Sequence, residues 1–170
     1  MIHSFLIGLV AGARAMTPFA AVSDAAHRGH LPADNGAPSW LGSPLVSAGT
    51  KALAAGELWG DKMHSAPDRI VIAGLLARLV TGGIAGAALA PRRHAVAGGV
   101  LGATGAIIAA YVTFDLRMRA LRKYGQASTG LVEDAITVGA AQMVVAGAAR
   151  GQHGQLPPQP RRRFPLHQRR

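Results

Sequence analysis

Two long apolar segments joined by a four-residue link constrain this chain more than any other feature. The segments are residues 70–90 and 95–114, and Pro91 to His94 separates them. A helix needs about 20 apolar residues, each rising 1.5 Å, to cross about 30 Å of hydrocarbon. Because the link is so short, the sequence predicts two antiparallel membrane helices that form a hairpin.

Three weaker apolar segments accompany this hairpin. They cover residues 4–26, 44–60 and 131–149, of which the second is short for a membrane span. We therefore predict an all-α fold, a polytopic transmembrane helical bundle of four or five segments. Residues 1–150 would form one transmembrane domain. The choice between four and five spans, and the orientation in the membrane, stay open at this stage.

The composition favours the same class of protein. Charged residues make up 15% of the 170 residues, against about 25% in soluble domains, and the chain contains 34 Ala and 22 Gly. Such small side chains bury little apolar area, at roughly 25 cal/mol per Å². In lipid, however, they let helix backbones approach closely. The absence of cysteine excludes disulfides, thiolate metal sites and cysteine nucleophiles.

Glycine pairs spaced four residues apart occur in four of the five segments. This GxxxG spacing places both glycines on one helix face, where two backbones can touch. We expect the pairs in the third and fourth segments to face each other across the hairpin. The predicted packing residues are Gly8, Gly12, Gly56, Gly60, Gly82, Gly86, Gly98 and Gly102.

Charged residues within the apolar segments are candidates for a functional site. Arg14 and Arg78 each lie well inside a segment, where a charge is costly unless it has a partner. Glu57, Glu133 and Asp134 are the obvious partners. The predicted pathway or buried ion-pair residues are Arg14, Glu57, Asp61, Lys62, Arg78, Glu133 and Asp134.

Thr17 and Pro18 indicate a break in the first segment. Proline within a helix removes a hydrogen bond and clashes with the preceding turn, so Thr17 could cap a second half-helix that begins at Pro18. Two half-helices would then meet near Arg14. Broken helices often mark transporter binding sites, whereas the alternative is an ordinary proline kink.

The last part of the chain differs from the rest. Residues 151–170 are polar and rich in proline, and five of the last ten residues are arginine. We predict a disordered basic tail. It could bind anionic lipid headgroups or an acidic partner such as RNA, although no motif specific for nucleic acid is present.

The sequence contains no constellation typical of an enzyme. The seven histidines are scattered and lack the H-E-x-x-H spacing of zinc proteases, and no hydrolase elbow is present. Glu133 and Asp134 are adjacent, so on a helix they point about 100° apart and are not a preformed acid–base pair. We therefore predict no catalytic site, metal or cofactor.

Several short motifs together resemble a family of small bacterial integral membrane proteins catalogued as a domain of unknown function. The resemblance covers roughly residues 5–149, and one departure is that Met63-His64 follows Lys62 where a proline is common. It implies a helical fold in the bacterial inner membrane and no particular activity. The motifs are Gly12 to Pro18, Gly56 to Lys62, Pro67 to Arg69, Arg78 to Gly82 and Glu133 to Ala135.

Two functional hypotheses follow. The first is a small ion- or proton-coupled transporter or channel in which the arginines hold an anionic group or lock a gate and the carboxylates carry ions or protons. A chain this small would need to form a homodimer to enclose a pathway. The second is a non-transporting scaffold or accessory subunit whose buried charges fix helix packing. A lipid-modifying enzyme is a third class, for which the sequence offers no nucleophile.

Overall fold

A computed structural model describes residues 1–60, 72–124 and 126–153. Within these ranges the chain forms six α-helices, two short 3₁₀ helices and no β-strand. The 3₁₀ helices are Ser39–Gly42 and Arg92–His94. The α-helices are α1 (Ile2–Ala13), α2 (Met16–His27), α3 (Pro44–Gly60), α4 (Ile72–Leu89), α5 (Ala95–Tyr124) and α6 (Gln126–His153).

Helices α1, α4 and α5 pack closely through glycine. A Cβ atom added to Gly86 of α4 would lie 2.5 Å from the carbonyl oxygen of Gly98 and 2.9 Å from Cα of Gly102, both in α5. Gly8 of α1 also lies against Gly102. Gly82 completes this cluster of touching backbones. Such contacts exclude any side chain, and they place the predicted glycine pairs of α4 and α5 face to face.

The glycine pair of α3 was expected to pack in the same way, and this expectation is wrong for Gly56. No atom of the described residues lies within 4 Å of a Cβ added there. Helix α3 packs mainly on α2 and on the 3₁₀ helix Ser39–Gly42. Gly56 is exposed, so its spacing reflects the high glycine content of the chain. The surroundings of Gly60 lie outside the described residues.

Helices α1 and α2 form a helical hairpin. Arg14 joins them with an extended backbone (φ −142°, ψ 118°). Ser4 near the start of α1 lies against Gly98 at the start of α5, and Gly36 beyond α2 donates its N–H to the carbonyl of Ala90, 2.8 Å away. Both outer ends of the hairpin therefore lie at the end of the bundle that carries Pro91, called here the Pro91 end. The hairpin tip, at Arg14, points into the bundle.

The last two helices are longer than the sequence indicated. The predicted fourth segment, 95–114, continues in α5 as far as Tyr124. Residues 126–130, which precede the predicted segment 131–149, are also helical and begin α6. Polar residues continue both helices because neither contains a proline that would end them. Helix α6 includes residues 151–153, and the rest of the predicted tail lies outside the described residues.

Three helical stretches of the described chain are long and apolar enough to cross a bilayer: Ile72–Leu89, Arg92–Ala120 and Gly130–Gly151. They turn large apolar side chains outward, as lipid-facing helices do and soluble proteins rarely do over a wide area. Exposed side chains of this kind include Leu76, Val80, Val100, Ile108, Val112, Leu131, Ile136 and Met143. These helices suggest a multi-pass membrane protein.

Candidate functional site at the tip of the α1–α2 hairpin

Arg14 occupies the hairpin tip and is the largest fully buried side chain in the described structure. Its side chain is 1% exposed. One guanidinium nitrogen binds the carboxylate of Asp134 in α6, and another donates to the main-chain carbonyl of Glu57 in α3, 3.3 Å away. Arg14 thus connects the hairpin tip to two other helices.

The Glu57 side chain caps the start of α2. One carboxylate oxygen accepts the N–H of Ala15 and the other accepts the N–H of Met16, both at 2.9 Å. The first N–H groups of a helix lack partners within it and carry the positive end of the helix dipole. The Glu57 carboxylate accepts these N–H groups and places a negative charge at the positive end of the dipole. Helix α2 can therefore begin inside the bundle.

Two short helices meet near Arg14, as predicted, but the break itself does not lie at Thr17 and Pro18. The chain breaks at Arg14 and Ala15, and α2 begins at Met16. Thr17 lies within the helix and does not cap it: its hydroxyl is buried and makes no hydrogen bond to any part of the chain that the structure describes. Pro18 is the third residue of α2, where its missing N–H costs nothing because no partner exists there.

A second ion pair lies next to the first. Arg117 of α5 donates to the carboxylate of Glu133 in α6 at 2.8 Å, and both side chains are largely buried, at 12% and 16% exposed. Sequence reasoning missed Arg117 because it opens a basic run that resembles a membrane boundary. One sequence signal was available. Arg117 follows Thr113 by four residues, so on a continuous helix the two side chains lie on the same face, and both line the cleft toward α6.

Arg78 of α4 completes the group. It is 6% exposed and lies within electrostatic range of Glu57, Glu133 and Arg14. The charge cluster therefore consists of three arginines and three carboxylates, and its formal charge is zero. Its members are Arg14, Arg78, Arg117, Glu57, Glu133 and Asp134.

A cleft reaches the charge cluster from outside. It lies between α5 and α6 and has a volume of about 330 Å³. Arg117 and Glu133 line it, together with Ala13 from the hairpin and mainly apolar side chains of the two long helices. Water or a small solute in this cleft would meet one of the two buried ion pairs.

Two predicted site residues, Asp61 and Lys62, lie outside the described residues. In the described ranges, no group of three or more histidine, aspartate or glutamate side chains could hold a metal ion. The arrangement that remains is a set of buried charges at a break between two short helices.

The fold and this cluster define a class: a multi-pass helical membrane protein with ionisable groups buried among its helices. Comparison with protein-family models, with curated proteins and with solved structures finds no match to the chain. The resemblance to a family of unknown function therefore stays a prediction, and a functional proposal has to come from the geometry of the site.

Proposed function

We propose that this protein is a small ion- or proton-coupled transporter or channel of the bacterial inner membrane, with the charge cluster as its pathway. The observation that carries the proposal is the position of the cluster. It lies where two short helices meet inside the bundle, and a cleft between two membrane helices opens onto it.

The hairpin geometry supports a pathway. Helices α1 and α2 contain 12 residues each, which gives about 18 Å of length at 1.5 Å per residue. Neither can cross about 30 Å of hydrocarbon. Since both outer ends lie at the Pro91 end, the hairpin would enter the membrane and return. Non-helical backbone at such depth is tolerated where it is buried in protein or lines a cavity.

The charge balance suggests how coupling would work. With all six groups ionised the cluster is neutral. A proton on Asp134 would cancel its attraction for Arg14 and leave the cluster with one net positive charge. The positively charged cluster would then attract an anion, or Asp134 would release the proton toward the opposite side of the membrane. Buried carboxylates between helices serve as proton relays in membrane proteins for this reason.

The experiment is proton uptake into proteoliposomes that contain a pH-sensitive dye, driven by a potassium diffusion potential. The wild type should acidify the interior, and Asp134→Asn and Glu133→Gln should abolish uptake while the protein still folds. Asp115→Asn is the matched control, because Asp115 pairs with Arg119 on the exposed surface. No uptake by the wild type, or equal uptake by all variants, would contradict the proposal.

A scaffold is the second candidate, and one observation favours it. The two ion pairs join α6 to the hairpin tip and to α5, so they could serve solely to fix how these helices pack. The charge swap Arg14→Asp with Asp134→Arg separates the two functions. In a scaffold the ion pair serves folding alone, and the swapped pair should serve it equally well. The scaffold function would be supported if the wild type shows no proton uptake and the swap variant is well folded.

A further inference from the structure

A second cleft lies away from the charge cluster, between α2 and α6. Its volume is about 360 Å³, within the range of about 300–1,000 Å³ typical of ligand pockets. Ala21 and Ala25 of α2 and Val145 of α6 form an apolar wall. Asp24, His30 and Arg150 supply polar groups.

The uncompensated charge of this cleft is positive. The carboxylate of Asp24 binds the ammonium of Lys51 and also Arg28, the latter at 2.9 Å. Lys51 and Arg28 lie beside the cleft and not in its lining, and together they compensate the negative charge of Asp24. Arg150 has no ion-pair partner in the part of the chain that the structure describes. Arg150 is therefore the one charged group of the described lining whose charge is not compensated.

The depth of the cleft narrows the choice of ligand. Arg150 lies one residue before Gly151, where the candidate span of α6 ends. Its guanidinium is therefore at the level of lipid headgroups. Val145 lies one and a half turns deeper along the same helix, at the level of acyl chains. A ligand that fits has an anionic group at the membrane surface and an apolar part below it.

We propose that this cleft binds an anionic phospholipid, with the phosphate on Arg150 and one acyl chain along α2 and α6. Arginine suits this task because its planar group donates two parallel hydrogen bonds to a phosphate. The site is independent of the charge cluster and of any transport.

The test is thermal unfolding of the purified full-length protein in detergent, with phosphatidylglycerol, phosphatidylcholine or inorganic phosphate added. Phosphatidylglycerol should raise the melting temperature of the wild type by at least ~3 °C, because a ligand of the native state stabilises it. Phosphatidylcholine and inorganic phosphate should raise it by less than half as much. Equal shifts with both lipids would overturn the proposal, and an equal shift with phosphate would assign the site to a free anion.

Two variants and one control locate the effect. Arg150→Gln should lose the response to phosphatidylglycerol, whereas Arg119→Gln, an exposed arginine of α5, should keep it. Ala146→Trp fills the cleft from an exposed position and should block the lipid without removing charge. If Arg150→Gln fails to fold, the response of Ala146→Trp to phosphatidylglycerol tests the proposal instead. A full response in either folded variant would overturn the proposal.

Discussion

The guanidinium of Arg14 binds the carboxylate of Asp134, although 120 residues separate them in the chain. The pair joins the tip of the α1–α2 hairpin to the first third of α6. It is buried on both sides, at 1% and 13% exposed. The pair is therefore a long-range link between the two ends of the chain.

Removing one partner of this pair should be far more damaging than removing both. Arg14→Met or Asp134→Leu alone leaves a buried charge behind, which costs about 3–5 kcal/mol. The double variant removes both charges and should lose less than the sum of the two single variants. Unfolding in detergent–lipid mixtures gives the three free energies for the cycle. Additive losses would show that the two side chains do not interact.

The Glu57 cap should contribute measurably to stability. Glu57→Ala leaves the N–H groups of Ala15 and Met16 without an acceptor, so the free energy of unfolding should fall by about 1–2 kcal/mol, as for other helix caps. Asp115→Ala removes a carboxylate from an exposed pair and should change it by less than about 1 kcal/mol. Chemical denaturation of both variants tests the difference. Similar losses would mean that the cap is unimportant.

The glycine contacts should not tolerate a methyl group. Gly86→Ala forces a Cβ against the backbone of α5, and such overpacking costs about 1–3 kcal/mol. Gly139→Ala in α6 is the control, because no described atom lies within 4 Å of the added Cβ. Alanine there should be neutral or stabilise by up to about 1 kcal/mol through its better helix propensity. Gly86→Ala should therefore lower the melting temperature, and Gly139→Ala should leave it unchanged or raise it.

Acid should weaken the contact between α2 and α3. The hydrogen bond from Lys51 lowers the pKa of Asp24 below its usual range, and the nearby Arg28 lowers it further. A lowered native pKa stabilises the fold above the unfolded value of about 3.9, and the stabilisation is lost as the pH falls through the native value. The melting temperature of Asp24→Asn should thus depend less on pH below about 4 than that of the wild type. Identical acid profiles would contradict this pairing.

The hairpin makes a topological prediction that the cysteine-free chain suits well. Single cysteines at Ile2, Ala33 and Arg93 should all react from one side of the membrane, because all three lie at the Pro91 end. A cysteine at Gly125, between α5 and α6, should react from the other side. Labelling of sealed vesicles with an impermeant maleimide tests this. Opposite sides for Ile2 and Ala33 would mean that the first segment crosses the membrane.

The α4–α5 hairpin could be predicted from the sequence because its signals are local. Two runs of sufficient length, a short link and glycines at fixed spacing all lie within residues 70–114. Buried charges at Arg14 and Arg78 could also be predicted, since an apolar run makes a charge conspicuous. Pairing was harder: three carboxylates were candidates for Arg14, and nothing in the sequence ranks Asp134 above the others.

The reversal of the chain at Arg14 could not be predicted, for a physical reason. Residues 4–26 have the length and hydropathy of a single span. Their reversal depends on Glu57, a residue on another helix that satisfies the start of α2. Because the capping residue belongs to another helix, the sequence next to α2 contains no capping signal. Proline, the strongest local signal, indicated the break three residues too late.

The α1–α2 hairpin also limits the order in which the protein can be made. Its tip arginine leaves the ribosome long before Asp134, and at 5–20 residues per second the delay is roughly 6 to 24 seconds. During that time the hairpin is too short to span the bilayer and lacks its buried partner. We expect it to wait at the membrane surface until α6 has been inserted. The hairpin, although synthesised before α6, would then reach its final position after it.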